Sequence, residues 1–215
     1  YYWRFLDADS TQLDTELARV LPTSEFDACD RYKTPELRRA ARASRLFVRY
    51  ILSQEQPDIS PEDWVIDRDE NGKPFVSGPK TFGFNISHTD RLLVGVVTEQ
   101  GRVGIDIESV DRQMDYQKVA KRFFSSDEQS QLEAASASSF AETFFDIWTC
   151  KEAYLKATGL GLRVELDAML IPEGSCHPIQ IEDHIGTVCY LSEDSDMAHS
   201  IDQPIAMTPL DLPLR

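Results

Sequence analysis

Two acidic residues stand two positions apart in the segment Gly104-Ile105-Asp106-Ile107-Glu108. Alternate side chains of a β-strand point to the same face, so on a strand Asp106 and Glu108 would lie about 7 Å apart. Two carboxylates on one face repel each other unless a cation joins them, and hard oxygen ligands suit Mg²⁺. An isolated Asp-x-Glu pair is more often the solvent-exposed face of a strand. This motif alone therefore leaves a metal site and an ordinary strand face both open.

A further acid interrupts an apolar stripe in the segment Trp148-Thr149-Cys150-Lys151-Glu152-Ala153-Tyr154-Leu155-Lys156. On a helix, Trp148, Glu152 and Leu155 share one face because they are spaced by three and four residues. A buried carboxylate needs a partner or a metal, so Glu152 is a candidate metal ligand. Lys156 lies one turn further along on the same side. The alternative is an ordinary Glu-Lys pair at (i, i+4), which contributes only a few tenths of a kcal/mol.

Two polar turns contain residues suited to phosphate. The segment Phe84-Asn85-Ile86-Ser87-His88-Thr89 predicts a strand that ends in a polar turn, where Ser87, His88 and backbone N–H groups can hold an anion. A Ser-His nucleophile is not favoured, since adjacent side chains at a strand end point apart. The segment Asn71-Gly72-Lys73-Pro74 is typical of a turn, which accounts for these residues without any ligand. Lys73 could also reach a phosphate.

The elements that must position these residues follow from periodicity and turn signals. We expect helices over 35–53, from about 115, from about 125 and over 140–158, the last ending at Gly159. We expect strands within 64–76, 82–87, 91–99, 102–108, 177–181 and 187–191. This order predicts an α+β fold, with two similar halves that meet near residue 105.

The charge balance bears on partners. The chain has 215 residues and a formal net charge of −15, which argues against nucleic acid because phosphate neutralisation needs a basic surface. The segment Arg31–Arg49 is nevertheless basic, with seven Lys and Arg residues against the acid Glu36. It indicates either a local anionic partner or a solvated helix face.

The cysteines and the hydropathy predict the compartment. No apolar run approaches the ~20 residues that span a bilayer, and no segment resembles a signal peptide, so we expect a cytoplasmic protein without a membrane partner. The cysteines have neither close pairs nor metal-ligand spacing. We therefore expect free thiols at all four positions: Cys29, Cys150, Cys176 and Cys189.

Taken in order, these motifs resemble one family. The blocks N-G-K-P, F-N-I-S-H-T, V-G-I-D-I-E, R-F-F-S-x-x-E and W-T-C-K-E-A-Y-L-K-A-x-G-x-G-L are similar to those of the 4′-phosphopantetheinyl transferase superfamily, in its larger, surfactin-synthetase-activating type. The resemblance covers about residues 31–162, and the last fifty or so residues carry no matching motif.

The resemblance implies two pseudo-symmetric α/β halves in one chain, with coenzyme A in the cleft between them. Residues 1–104 would contact the adenine and 3′-phosphate end, and residues 105–215 would carry the metal and catalytic residues. The implied Mg²⁺ ligands are Asp106, Glu108 and Glu152, of which Asp106 also belongs to the coenzyme site.

The implied reaction transfers 4′-phosphopantetheine from coenzyme A to a serine of an apo-carrier protein and releases 3′,5′-ADP. Glu152 would act as general base, directly or through a metal-bound water, and Lys156 would bind the pyrophosphate and protonate the departing phosphate. The coenzyme's adenine and 3′-phosphate end would be held by Gly72, Lys73, Pro74, Ser87 and His88.

One departure concerns the lysines that family members carry just before the first helix. The corresponding stretch here, Ser24–Lys33, has acids at those places, and Arg31 is the expected substitute. The carrier protein, an acyl or peptidyl carrier, would dock on Arg38–Arg49 or on Asp115–Phe124 with its basic residues. The family analogy predicts a monomer.

Two other functions remain open from the residues alone. A different Mg²⁺-dependent phosphotransferase would need a glycine-rich phosphate loop, and the sequence has no G-x-x-x-x-G-K-[ST] run. A non-catalytic module that binds coenzyme A or a carrier protein could keep the fold without the chemistry.

Overall fold

In this computed structural model the described residues are 1–5, 11–70, 72–77, 82–161, 165–192 and 208–209, with backbone alone at 3–5, 11–14 and 208–209. The helices are α1 (Thr11–Val20), α2 (Thr23–Cys29), α3 (Pro35–Glu55), α4 (Tyr116–Phe123), α5 (Ser126–Ala134) and α6 (Phe140–Thr158). The strands are β1 (Tyr2–Phe5), β2 (Val65–Arg68), β3 (Pro74–Ser77), β4 (Gly83–His88), β5 (Leu92–Thr98), β6 (Arg102–Ser109), β7 (Cys176–Ile181), β8 (His184–Leu191) and β9 (Thr208–Pro209). The predicted α+β class is confirmed. Within the described ranges, no helix combines the length and the apolar character that crossing a bilayer requires.

The first sheet has the strand order β4-β5-β1-β9 and carries α3 on one face. Its β4–β5 and β5–β1 pairs are antiparallel, and β9 runs parallel to β1. Helix α3 begins where the sequence predicts, since Pro35 occupies its first turn and the Thr34 hydroxyl accepts from Leu37 N at 3.3 Å. The helix packs closely because Gly95 has no side chain: a Cβ there would lie 2.7 Å from the Phe47 ring.

The second sheet has the order β6-β8-β7, all antiparallel, and α6 lies across it. The approach of helix to strand depends on Gly104, where a Cβ would lie only 2.0 Å from the Ala153 carbonyl oxygen. Helix α6 ends at Gly159 in the left-handed conformation (φ 72°), as predicted. This close packing places Glu152 and Lys156 beside β6, the strand that carries Asp106.

The two sheets meet along β4 and β6. The side-chain oxygen of Asn85, on β4, accepts a hydrogen bond from the backbone N–H of Ile105, on β6, at 3.0 Å. Because Asn85 substitutes for a backbone carbonyl here, it fixes the position of Ser87 relative to Asp106. The expected division between residues 104 and 105 falls inside β6, and the two-half organisation stays a prediction.

The prediction of four free thiols is wrong at two positions. Cys176 and Cys189 form a disulfide between directly opposed residues of β7 and β8, with Cα atoms 4.1 Å apart. The sequence separation of 13 gave no sign of this pairing, because strand register alone brings the two residues face to face. Cys29 and Cys150 are free.

Candidate active site

Three of the sequence motifs converge on the ammonium group of Lys156. This group, on α6, donates to Asp106 Oδ1 of β6 at 2.7 Å, to Ser87 Oγ of β4 at 3.0 Å and to the Ile105 carbonyl at 3.0 Å. The Ser87 hydroxyl also donates to Asp106 Oδ1, at 2.9 Å. Residues 19 to 69 positions apart thus form one polar cluster at the junction of both sheets and α6.

The remaining carboxylates of the predicted metal site lie around this cluster. Glu108 accepts a hydrogen bond from the Arg112 guanidinium. The Trp148 indole is near enough to lower the pKa of Glu108. Asp106 is buried, and its second oxygen, Oδ2, has no hydrogen-bond partner within the described ranges. Glu152 is half-buried and makes no hydrogen bond or ion pair to any residue that the structure describes.

The raised pKa values of Glu108 and Glu152 indicate excess negative charge around this cluster. Burial raises the pKa of Glu152 above its ordinary value, and repulsion from Asp106 and Glu108 raises it further, while Lys156 opposes the rise. Burial also raises the pKa of Glu108, with a contribution from Asp106, while Arg112 and Trp148 lower it. The three acids are therefore electrostatic neighbours whose charges one lysine and one arginine only partly offset.

The turn before β3 brings Lys73 to the C-terminal end of α6. Gly72 adopts φ 84°, which favours glycine, and the Lys73 ammonium donates to the carbonyl oxygens of Lys156 at 2.6 Å and of Ala157 at 3.3 Å. Burial, and then the positive charge of Arg102, lower the pKa of this lysine. In this conformation Lys73 caps the C-terminal end of α6, where a cation is favoured, and its predicted contact with phosphate stays a prediction.

His88 and Pro74 line a cavity of about 440 Å³ beneath α2 and α3. The same cavity is lined by three arginines, Arg45, Arg49 and Arg68, whereas Arg31 is exposed and does not line it. Ser87 faces the polar cluster instead, since adjacent strand residues point to opposite faces. Of the predicted phosphate-binding residues, Ser87 and Lys156 therefore lie near Asp106, and Pro74 and His88 line this cavity. Lys73 and Arg31 lie in neither place.

Comparison with known proteins identifies the family. Residues 8–100 match the model "4′-phosphopantetheinyl transferase, N-terminal", and residues 102–205 match "4′-phosphopantetheinyl transferase superfamily". The 4′-phosphopantetheinyl transferase HetI of Nostoc sp. is 34% identical over 178 residues, which are 80% of this chain and 74% of that protein. The chain belongs to the 4′-phosphopantetheinyl transferase superfamily.

A second sequence relative agrees with this assignment. The 4′-phosphopantetheinyl transferase Sfp of Bacillus subtilis is 28% identical over 79% of this chain and 75% of its own length. Among solved structures, a holo-[acyl-carrier-protein] synthase of Thermotoga maritima matches 44% of this chain and 65% of its own, with 19% identity and a TM-score of 0.35. The resemblance inferred from the five motifs is confirmed.

The donor chemistry of the transferase fits a divalent cation, although the carboxylates are not gathered around one point. No group of three or more His, Cys, Asp or Glu side chains in the described part of the chain is arranged to hold a metal ion. The donors are nevertheless hard oxygens, and Asp106 Oδ2 has no hydrogen-bond partner among the described residues. Burial, and then the like charges of Asp106 and Glu108, raise the pKa of Glu152. The predicted ligands Asp106, Glu108 and Glu152 would have to reorient to share an ion, and the site stays a prediction.

Sequence reasoning missed a buried lysine of the transferase. Lys151 is 1% exposed, and its ammonium donates to Glu128 Oε2 at 2.9 Å and to the Leu166 carbonyl at 2.7 Å. Glu128 also accepts from Ser125 N at 2.6 Å in the capping box that starts α5. Lys151 thereby ties α6 to α5. The available sequence signal for its burial was that Lys151 lies three residues after Trp148.

A buried ion pair in the first half was missed as well. Arg49 is 1% exposed although it belongs to α3, and its guanidinium bonds Glu25 of α2. The signal was an arginine inside the apolar run Leu46-Phe47-Val48-Arg49-Tyr50-Ile51-Leu52. The sequence does not indicate its partner, because the two residues are 24 positions apart.

Proposed function

We propose that this transferase moves the 4′-phosphopantetheine group of coenzyme A to a serine of an apo-carrier protein, with Mg²⁺, and releases 3′,5′-ADP. The observation that carries the proposal is the contact of the Lys156 ammonium with both Asp106 and Ser87. A cation beside carboxylates, at the junction of the two sheets, suits a pyrophosphate. This group must be bound and oriented, and its negative charge must be neutralised. Family membership supplies the reaction class.

The proposed bond changes follow from the positions of two α6 residues. The carrier serine oxygen forms a bond to the phosphorus that bears pantetheine, and the bond from that phosphorus to the oxygen of 3′,5′-ADP breaks. Glu152 accepts the serine proton, a role that is supported by its raised pKa and by the lack of a hydrogen bond to it from any residue that the structure describes. Lys156 leaves Asp106, binds the pyrophosphate and donates to the departing phosphate. Positioning and charge stabilisation account for most of the catalysis.

We propose that Asp106, Glu108 and Glu152 hold Mg²⁺. The ion would supply positive charge to the pyrophosphate and to the leaving oxygen. The buried Oδ2 of Asp106, which has no hydrogen-bond partner in the described ranges, supports this, as does the mutual repulsion of the acids. Arg112 and Trp148 would orient Glu108.

We propose that the adenine and 3′-phosphate end of coenzyme A occupies the arginine-lined cavity, within residues 1–104. His88 and Pro74 line this cavity, and His88 directly follows Ser87 of the polar cluster. A coenzyme that passes the end of β4 could therefore reach both places. This arrangement assigns the catalytic residues to 105–215, as expected from the family resemblance.

We propose that the carrier protein docks on α4. Lys118, Lys121 and Arg122 are exposed there, and the Arg122 guanidinium lies 4.9 Å over the Phe123 ring. Phe123 packs on Trp148, which is near enough to lower the pKa of Glu108, so α4 lies close to the carboxylates. The competing surface on α3 is less available, since Arg42 pairs with Asp30 and Arg45 and Arg49 pair with Glu25.

The proposal is tested by incubating the protein with coenzyme A, Mg²⁺ and a panel of apo-carrier proteins from fatty-acid, polyketide and peptide synthesis. We expect at least one carrier to gain phosphopantetheine on serine, with 3′,5′-ADP as the second product. Binding of coenzyme A without any transfer would support the non-catalytic module instead. The cytoplasmic location and the monomeric state stay predictions.

A further inference from the structure

We propose that Glu25 is an internal counter-ion of the arginine-lined cavity, and that it weakens the preference of the cavity for a coenzyme bearing a 3′-phosphate. The inference rests on the proposed function, because it takes coenzyme A as the ligand. It makes Glu25, on α2, a specificity-determining residue of this chain.

The cavity contains the groups that an anion needs. Its lining includes Arg45, Arg49, Arg68 and His88, and its volume of about 440 Å³ leaves room for a substituted ribose. Guanidinium groups bind phosphate through two parallel hydrogen bonds, which makes arginine the preferred residue for such sites. An arginine that is already fully paired, however, cannot offer those bonds.

Glu25 is placed to compete with a phosphate for the same nitrogens. Its two oxygens accept from Arg49 Nη2 at 2.6 Å and from Arg49 Nη1 at 3.2 Å, and Oε2 lies 3.7 Å from Arg45 Nε. One carboxylate therefore contacts two of the three arginines and offsets one of their charges. It is itself about three-quarters buried, with 23% of its side chain exposed.

Arg49 shows that the site is built for charge. The side chain is 1% exposed, and its Nε is buried with no hydrogen-bond partner in the described part of the chain. A guanidinium so deeply buried requires a counter-charge, because an unpaired buried ion is strongly destabilising. Either Glu25 or a bound phosphate can fill that requirement. The two occupants are therefore mutually exclusive at this guanidinium.

The charge balance gives the direction of the effect. The three arginines face the carboxylates of Glu25 and Asp67, which leaves one net positive charge in the lining if His88 is neutral. A phosphate monoester carries a charge of about −1.5 to −2 at pH 7. The wild-type cavity therefore gains little from the 3′-phosphate. Neutralising Glu25 doubles the net positive charge and frees the Arg49 nitrogens.

A purely structural role for Glu25 predicts a different result. If the carboxylate only held α2 on α3, its replacement would loosen the cavity. The binding of all adenosine ligands would then weaken equally. Glu25→Gln keeps the length and one acceptor oxygen, so the shape of the cavity is conserved. Asp27→Asn is the matched control, because it removes the same charge from an exposed position of the same helix that does not line the cavity.

The test measures binding of 3′,5′-ADP and of 5′-ADP to the full chain by calorimetry. We expect the wild type to discriminate between them by less than about tenfold. We expect Glu25→Gln to increase the affinity for 3′,5′-ADP by about tenfold or more and to change the affinity for 5′-ADP by less than about twofold. Asp27→Asn should change neither. Equal effects on both ligands, or an Asp27→Asn effect as large, would overturn the proposal.

Two further outcomes are decisive. If Glu25→Gln does not fold, the wild type decides, since discrimination by more than about tenfold contradicts an internal counter-ion. If the ligand-selective effect is found but no carrier protein is modified, the proposed function fails and the role of Glu25 stands. If transfer occurs and Glu25→Gln is unselective, only the role of Glu25 fails.

Discussion

The ammonium of Lys156 lies 2.7 Å from Oδ1 of Asp106. A positive charge of the protein is therefore already paired with the carboxylate that we propose as a metal ligand. In the coenzyme-free protein the lysine and a divalent cation must compete for Asp106. A pyrophosphate that draws the lysine away would remove this competition. Metal and coenzyme should therefore bind with positive coupling, which is reciprocal by linkage.

Replacing Lys156 with Met should tighten binding of Mn²⁺ to the coenzyme-free protein, because the competing charge is gone. The same variant should lose transfer activity by about 10²-fold or more, since the pyrophosphate loses its cation. Calorimetry with Mn²⁺ alone measures the first effect. Arg91→Met removes an equal charge from an exposed position just before β5 and should change neither quantity. Weaker Mn²⁺ binding in Lys156→Met would contradict the competition.

The raised pKa of Glu152 should make it a source of instability in the metal-free protein. Its folded pKa lies above the ordinary value of 4.5, so between the two values the folded state holds a proton that the unfolded state has lost. Stability from this group is therefore lost as pH rises through that window. Glu152→Gln should melt higher than the wild type near pH 7 in chelator, by about 2–4 °C per kcal/mol gained.

This difference should shrink as the pH falls towards the ordinary value of 4.5, where Glu152 becomes neutral. Thermal unfolding across that range is the measurement, with Glu142→Gln, an exposed residue of α6, as the control. Added Mg²⁺ should stabilise the wild type more than the variant. A Glu152→Gln protein that melts lower at neutral pH would show that the carboxylate has a stabilising partner instead.

The Lys151–Glu128 pair should be coupled in stability. Lys151→Met removes one partner of a buried ion pair, and such losses cost about 3–5 kcal/mol. Glu128→Gln removes the other partner and weakens the capping box of α5. The double variant should lose less than the sum of the single variants, by about 0.5–3 kcal/mol in denaturant unfolding. Additive losses would mean that the two side chains act independently.

Charge reversal on α4 should affect the carrier protein and not the coenzyme. Lys121→Glu with Arg122→Glu should raise the KM for an acidic carrier by about tenfold or more, because complementary charge governs encounter, while the KM for coenzyme A stays constant. Steady-state kinetics with each substrate varied in turn makes the measurement. The pair Arg38→Glu and Arg39→Glu on α3 is the comparison. If that pair raises the carrier KM instead, the docking surface is α3.

Local signals predicted most of the elements that carry the site. The Thr34–Pro35 start of α3, the capping box at Ser125 and the left-handed Gly159 each depend on neighbouring residues, and each lies where expected. The alternation of Ile105 and Ile107 placed both in the core, at 0% and 1% exposure. Asp106 is buried too, because α6 covers the other face of β6, which no pattern within the strand can reveal.

Contacts between distant segments could not be predicted in the same way. Lys73 donates a hydrogen bond to the end of α6 because the turn before β3 reaches the second half of the chain. The sequence motif around Lys73 does not indicate this contact with a distant segment. The Cys176–Cys189 disulfide depends on strand register, and the Glu25–Arg49 pair depends on how α2 packs on α3. Each is a tertiary contact between residues whose local sequences do not specify a partner.

Intact-mass spectrometry of an apo-carrier protein incubated with coenzyme A and Mg²⁺ tests the central claim most directly. Wild type and Glu142→Gln should both convert the carrier serine to its phosphopantetheinyl form. Asp106→Asn, Glu152→Gln and Lys156→Met should each slow conversion by about 10²–10⁴-fold. Conversion at the wild-type rate by any of these three would contradict a catalytic centre built where Asp106, Glu152 and Lys156 meet.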